Sequence, residues 1–164
     1  MEQVVFLIGG NLDDRIKLIL EAEKQLSKTF KITGRSSVYE TPAWGKESNN
    51  DYLNRALVVE SSLDPMEILL AAQNVENILG RERKEKWGDR TMDIDIIYIG
   101  QRVIDTPKLK VPHPLMTERK FVLEPLVEVL PNFLHPVLGQ TSKELLETCP
   151  DKTEPKRYMG KGSD

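Results

Sequence analysis

Two carboxylates two residues apart, Asp93 and Asp95, stand in a run that is otherwise apolar: Ile94, Ile96, Ile97 and Ile99. Side chains alternate along a strand, so this spacing predicts both acids on one face, with Ile94 and Ile96 on the other. Like charges held side by side repel unless a cation sits between them or one is protonated. Hard oxygen donors suit Mg²⁺, which typically takes one or two carboxylates and fills its shell with substrate phosphates. The plain alternative is an exposed strand face carrying solvated acids.

The preceding residues favour the first reading. Residues 81–90 hold Arg81, Arg83, Lys84, Lys86 and Arg90 against Glu82, Glu85 and Asp89, a local charge of +2. Guanidinium forks beside a metal-binding pair fit a polyphosphate, although a charge run by itself is a solvated loop. Trp87 in so polar a stretch either covers a planar ligand or caps the core. His113, in Val111-Pro112-His113-Pro114, either donates to a phosphate oxygen or serves structure. His135 has no polar company and reads as structural. Cys149, with no catalytic His beside it, reads as a small hydrophobe. Gly9-Gly10-Asn11 reads as a turn, with close backbone approach to a ligand as the alternative. Neither GxxxxGK[ST] nor GxGxxG occurs, so the two commonest nucleotide fingerprints are missing.

The elements that must hold these residues are legible. Residues 4–8 are apolar without alternation, as in a strand covered on both faces. A helix capped by Asp13 or Asp14 runs to about Phe30, with Ile16, Ile19, Leu20, Ala22 and Leu26 on one side. Residues 31–41 are rich in β-formers, 42–51 read as a loop, and 52–61 as a strand. Asp64-Pro65-Met66-Glu67 predicts a sharp helix start, and Gly80 suits that helix's end. Residues 93–99 form a strand, and 102–105 pair with it as a hairpin. Short helices follow, one opened by a capping box from Thr141 to Glu144. From Pro150 the chain is polar and reads as a frayed tail. The order β-α-β-β-α-β predicts an α+β, ferredoxin-like split βαβ fold, an antiparallel sheet with helices on one face, plus a helical C-terminal appendage. One domain over residues 1–150 and a polar tail over 151–164 is the expected organisation.

Composition bounds the partners. The chain has 164 residues, a formal net charge of −3, 39% hydrophobic and 30% charged residues, and a single cysteine. These numbers fit a globular domain that needs no disulfide, and they argue against a general nucleic-acid or membrane-surface binder. No apolar run reaches the length of a membrane span, and Met1-Glu2-Gln3 lacks a basic signal-peptide start. A cytoplasmic monomer is expected.

Arg90-Thr91-Met92-Asp93-Ile94-Asp95-Ile96-Ile97 resembles the R-x-x-D-[LIV]-D signature of the 6-hydroxymethyl-7,8-dihydropterin pyrophosphokinase family. The likeness continues in Ile8-Gly9-Gly10-Asn11-Leu12, in Tyr39-Glu40-Thr41-Pro42-Ala43-Trp44-Gly45 and in Asp51-Tyr52-Leu53-Asn54. It resumes at Gly80-Arg81, at Val111-Pro112-His113-Pro114, and from Arg119 to Leu126. The resemblance implies a ferredoxin-like fold and transfer of pyrophosphate from ATP to the pterin hydroxymethyl oxygen, with release of AMP. By the same resemblance, Asp93 and Asp95 bind two Mg²⁺ ions, and Arg81 and Arg90 join them as catalytic residues. ATP is contacted by Gln73, Glu76, Arg81, Arg83, Trp87, Arg90, Ile96, His113 and Arg119. Arg83 and Trp87 belong to a mobile loop that closes over the substrates. The pterin is held by Thr41, Pro42, Tyr52, Asn54 and Phe121. Gly10, Ala43, Asp89 and Leu115 depart from the family's commoner residues without removing a metal ligand or main pterin contact.

Two other readings share these features. Another Mg²⁺-dependent nucleotidyltransferase would release pyrophosphate instead of AMP. An RNA-binding module of the same topology would need exposed aromatics on central strands, where this chain offers Phe6 and Tyr98 in aliphatic surroundings.

Overall fold

The computed structural model describes residues 1–11, 14–42, 51–80 and 92–158. Its first half comprises β1 (Glu2–Gly10), α1 (Arg15–Leu26), β2 (Lys31–Arg35), β3 (Tyr39–Thr41), β4 (Tyr52–Ser61) and α2 (Pro65–Ile78). Then come β5 (Asp93–Ile99), β6 (Ile104–Asp105), β7 (Lys110–Val111), α3 (Lys120–Val129), α4 (Ser142–Glu147) and β8 (Lys156–Arg157). A 3₁₀ turn, Met116–Glu118, leads into α3.

The uninterrupted aliphatic run in β1 is buried from Val4 to Gly10 because the strand is central. It pairs antiparallel with β5 on one side and β4 on the other. β4 in turn pairs with both β2 and β3, and β8 extends the sheet beyond β3. Phe6, Ile8, Ile94 and Ile96 pack against α1 and α2 through Ile19, Leu26, Ile68 and Ala72. Fully burying each such side chain contributes roughly 1.5–3 kcal/mol. The other face is not open. Val5, Leu7, Ile97 and Tyr98 pack against Val122, Leu123 and Leu126 of α3 and Leu145 of α4. The expectation of helices on one face therefore holds for α1 and α2 only. The C-terminal helices are the cover of the second face.

Local chemistry explains the boundaries. Asp14 accepts from the Lys17 N–H and starts α1. Asp64 with Glu67, and Thr141 with Glu144, form the two expected capping boxes. α1 stops at Leu26, short of Phe30, because a turn swings the Phe30 ring against Phe6 at 5.3 Å between centroids. The stretch 31–41 is two strands. At the break, the Ser36 N–H still donates to the Ala56 carbonyl at 3.0 Å, but the Ala56 N–H is taken by the Ser36 side chain, its Oγ accepting at 2.9 Å. The hairpin expected for 102–105 does not form on β5. Arg102 is drawn to Glu2 at 2.9 Å, and β6 pairs with β7 instead. Residues 151–158 are not a frayed tail either. β8 bonds to β3, and the Tyr158 N–H donates to the Val38 carbonyl at 2.8 Å. Under the sheet, Glu23 of α1 is buried against Arg55 of β4 at 2.8 Å and also takes Arg35 at 2.6 Å.

Candidate functional site

A cavity of about 850 Å³ opens on the α3 side of the sheet, beyond the end of its apolar core. Leu7, Gly9, Asn54, Asp93 and Asp95 line it from the sheet, and Thr41, Pro42 and Tyr52 from β3 and the start of β4. Glu118, Arg119 and Phe121 contribute from the approach to α3, and Pro150, Asp151 and Lys152 from the C-terminal segment.

Strand register builds the sheet side of this lining. Gly9 lies opposite Asp93 on one side and Asn54 on the other, and Leu7 lies opposite Asp95. Neighbouring strands are about 4.8 Å apart, so the Asp93 and Asn54 backbones are separated by roughly 10 Å. Glycine is required between them. A Cβ on Gly9 would stand 2.2 Å from both Asn54 Oδ1 and the Leu53 carbonyl oxygen. The residue read from sequence as part of a turn is thus strand, and its missing side chain makes room in the site.

The acid pair is arranged as its spacing predicts. Asp93 is half-buried and Asp95 exposed, both on the cavity face, while Ile94 and Ile96 are buried on the opposite face. The backbone between the acids is held from behind: the Ile94 N–H donates to Glu76 Oε2 at 2.7 Å, and Glu76 is itself buried on α2. Among the described residues, no group of three or more His, Cys, Asp or Glu side chains could hold a metal ion alone. Two carboxylates fit a hard cation that takes its remaining ligands from a phosphate chain and water.

The other end of the cavity suits a flat, polar ring. Tyr52 and Phe121 supply aromatic faces, and the Arg119 guanidinium lies 5.6 Å from the Phe121 ring centroid. Asn54, 8% exposed, offers an amide donor and acceptor. Thr41 Oγ1 is buried and finds no hydrogen-bond partner among the described residues. An orphaned buried hydroxyl facing a cavity is what a ligand's polar edge would satisfy. His113 sits near Arg119. Burial first, and then the Arg119 charge, push its pKa below the ordinary histidine value. Its Nδ1 accepts from the Leu115 N–H at 3.2 Å, which leaves Nε2 as the donor of the neutral ring.

Of the residues singled out in the sequence, Thr41, Pro42, Tyr52, Asn54, Asp93, Asp95, Arg119 and Phe121 line this one cavity. Gln73 is exposed on α2, Glu76 and Ile96 are buried away from the cavity face, and His113 stands outside the lining. Arg81, Arg83, Trp87 and Arg90 lie outside the described residues. Sequence reading missed Leu7, Glu118, Pro150, Asp151 and Lys152, which chain folding alone brings there. Gly9 carried a signal, a glycine inside an aliphatic strand. Phe6 and Tyr98 are buried to 0% and 1% exposure, so neither can serve as a platform for bases.

An acid-bearing sheet edge joined to an aromatic, amide-lined recess suits a small planar molecule beside a hard cation, as in an enzyme site. The sequence profile of the 7,8-dihydro-6-hydroxymethylpterin-pyrophosphokinase (HPPK) family matches residues 5–131, and the chain belongs to that family. The 2-amino-4-hydroxy-6-hydroxymethyldihydropteridine pyrophosphokinase of Aquifex aeolicus is 42% identical over 144 residues, 88% of this chain and 90% of its own. The enzyme of the same name from Bacillus subtilis is 40% identical over 132 residues, 79% of each chain. Among solved structures, the HPPK-DHPS of Plasmodium falciparum with pteroate is similar in fold, at a TM-score of 0.70 and 17% identity. That alignment covers 89% of this chain and spans only 42% of the longer protein. Among the described residues, no helix is long and apolar enough to cross a membrane.

Proposed function

We propose that this chain transfers the β,γ-pyrophosphoryl group of ATP to the hydroxymethyl oxygen of 6-hydroxymethyl-7,8-dihydropterin, releasing AMP. The observation that carries this reading is a single cavity with a ring-binding recess at one end and the Asp93–Asp95 pair at the other. Family membership and the names of the two bacterial relatives support the same reaction. The fold supporting it is read as ferredoxin-like, from the order β5-β1-β4 with β2 and β3 on β4.

In this reading Thr41, Pro42, Tyr52, Asn54 and Phe121 hold the pterin. Thr41 and Asn54 meet its polar edge, while Tyr52 and Phe121 cover its faces. The hydroxymethyl group is thereby directed toward the acid pair. Asp93 and Asp95 would hold two Mg²⁺ ions, which supply charge neutralisation at the phosphate oxygens. The hydroxymethyl oxygen forms a bond to the β-phosphorus, the bond from that phosphorus to the α,β-bridging oxygen breaks, and AMP carries away the electron pair. The hydroxyl proton leaves to solvent. Arg81, Arg83, Trp87, Arg90 and Arg119, with Gln73, Glu76, Ile96 and His113, make up the ATP side by family resemblance. His113, neutral with Nε2 as donor, suits a phosphate oxygen. No general base is assigned, so positioning and electrostatics carry the catalysis. In this reading the protein acts as a monomer in the cytoplasm, the compartment that its single, unpaired cysteine suits.

The deciding experiment incubates the chain with ATP, Mg²⁺ and the hydroxymethyl pterin and identifies both products. AMP and the pterin diphosphate are expected. Release of pyrophosphate with a nucleotidylated pterin, or no pterin-dependent ATP consumption, would overturn the assignment.

A further inference from the structure

The family match ends at residue 131, yet three residues beyond it, Pro150, Asp151 and Lys152, line the cavity. What holds them there is specific. Asp151 Oδ2 accepts from the Lys120 N–H at 2.9 Å, at the first residue of α3. Its other oxygen, Oδ1, accepts from the Thr153 N–H at 2.9 Å and the Thr153 hydroxyl at 2.8 Å. Lys120 is flanked by Arg119 and Phe121, and Asp151 by Pro150 and Lys152, all four of them lining residues. One carboxylate therefore joins two walls of the cavity.

The far side of the segment is fixed as well. Lys156 stands opposite Glu40 in the β3–β8 pair, one residue from Thr41. Residues 151–155 thus bridge from the Thr41 edge of the sheet to the Phe121 end of α3, around the ring-binding recess. Burial pushes the Asp151 carboxyl up, but the bonds from Thr153 and Lys120 outweigh it and hold its pKa below the usual value. The joint is charged at neutral pH, so its hydrogen bonds are of the stronger, charge-assisted kind.

We propose that Asp151 is a positioning residue for the pterin end of the site, locking the C-terminal segment to the start of α3 so that both walls face the ring. It acts through the residues beside it, not by contact with the reacting atoms. The inference rests on the function proposed above, and its test separates the two. Calorimetric titration with 6-hydroxymethylpterin, in the presence of Mg²⁺ and a non-hydrolysable ATP analogue, reads the inference; AMP release reads the function. Asp151→Ala is expected to weaken pterin binding roughly tenfold, the effect of about one lost charge-assisted hydrogen bond. Affinity for the ATP analogue falls by no more than about threefold, since Arg119 is the one residue beside this joint that belongs to the ATP side. Asp151→Asn, which keeps one accepting oxygen, falls between. An Asp151→Ala chain that binds pterin as the wild type does would overturn the proposal, as would one that loses both ligands equally. Should Asp151→Ala fail to fold, Asp151→Asn is judged by the same two affinities. Pterin binding without AMP release removes the proposed function and leaves the inference standing. No pterin binding by the wild-type chain removes both.

Discussion

Replacing Gly9 with alanine puts a methyl group in place of a hydrogen, and the structure gives that carbon no space. Its position is 2.2 Å from Asn54 Oδ1 and 2.2 Å from the Leu53 carbonyl oxygen. The first can turn aside. The second is main chain at the last pair of the β1–β4 ladder, where Leu53 also pairs with Glu40 of β3, and it cannot move without breaking pairing. Overpacking of a tight core costs about 1–3 kcal/mol, and a backbone contact this short belongs at the upper limit. For a chain of this length, each kcal/mol lowers Tm by about 2–4 °C, so Gly9→Ala should melt roughly 6–12 °C below wild type. Displacing the Asn54 amide also removes a polar contact to the ring, which should weaken pterin binding roughly tenfold or more. Thermal melts by circular dichroism read the first effect, and pterin titration the second. Gly34→Ala is the control in the same sheet. There the added carbon meets Val58 at an ordinary 3.5 Å, and no loss of stability is expected. Equal melting points for Gly9→Ala and wild type, with unchanged pterin affinity, would refute the claim that this glycine makes room in the site.

Three further outcomes are expected. Asp95→Ala should cut AMP release in Mg²⁺ by at least about a hundredfold while the melting point holds, since Asp95 is an exposed side chain; near-normal turnover would remove it as a metal ligand. Glu23→Ala deprives buried Arg55 of a carboxylate at 2.8 Å and should destabilise the fold by about 3 kcal/mol, measured by urea unfolding, without changing pterin affinity. Burial lowers the pKa of His135, so between its folded value and the ordinary 6.5 the unfolded chain binds more protons than the native one. Its contribution to stability is therefore complete above about pH 6.5 and declines as pH falls below it. His135→Asn, whose side-chain oxygen can accept from the Val137 and Leu138 N–H groups in place of Nδ1, should flatten the loss of Tm between pH 7 and about 5.5.

The acid pair is legible because strand spacing expresses what it does, whereas segments 39–42 and 52–54 and Phe121 are reached only through their resemblance to the pyrophosphokinase family, not from spacing. Strand alternation alone put Asp93 and Asp95 together, and capping chemistry alone located the starts of α2 and α4. The cover on the second sheet face was not legible. An apolar stripe on α3 or α4 says that a helix packs, but not on which face of a sheet that is buried on both sides. The C-terminal segment failed for a related reason. Its polar residues look solvated, and what orders them is backbone pairing with β3 and one carboxylate contact spanning 31 positions. Glu76 shows a third limit. A buried acid bound to a strand N–H leaves no periodic trace in the sequence.

The register shift between β1 and β5 has a consequence for how this site tolerates changes of length. At that shift Val5 faces Tyr98 and Phe6 faces Ile96, so Ile97 is the surplus residue. Both Ile97 and Tyr98 pack toward α3 as a result. The strand is thus two half-strands with independent phase, one carrying the acids and one filling the core. Insertions or deletions at the bulge can be absorbed as a larger or smaller bulge. Between residues 93 and 95 there is no such buffer. One inserted residue would rotate a carboxylate onto the Ile94 face, against α1 and α2, where an unpaired acid costs several kcal/mol. Position 94 is free to exchange one aliphatic for another, whereas the count of residues between the acids is fixed by the geometry of the sheet.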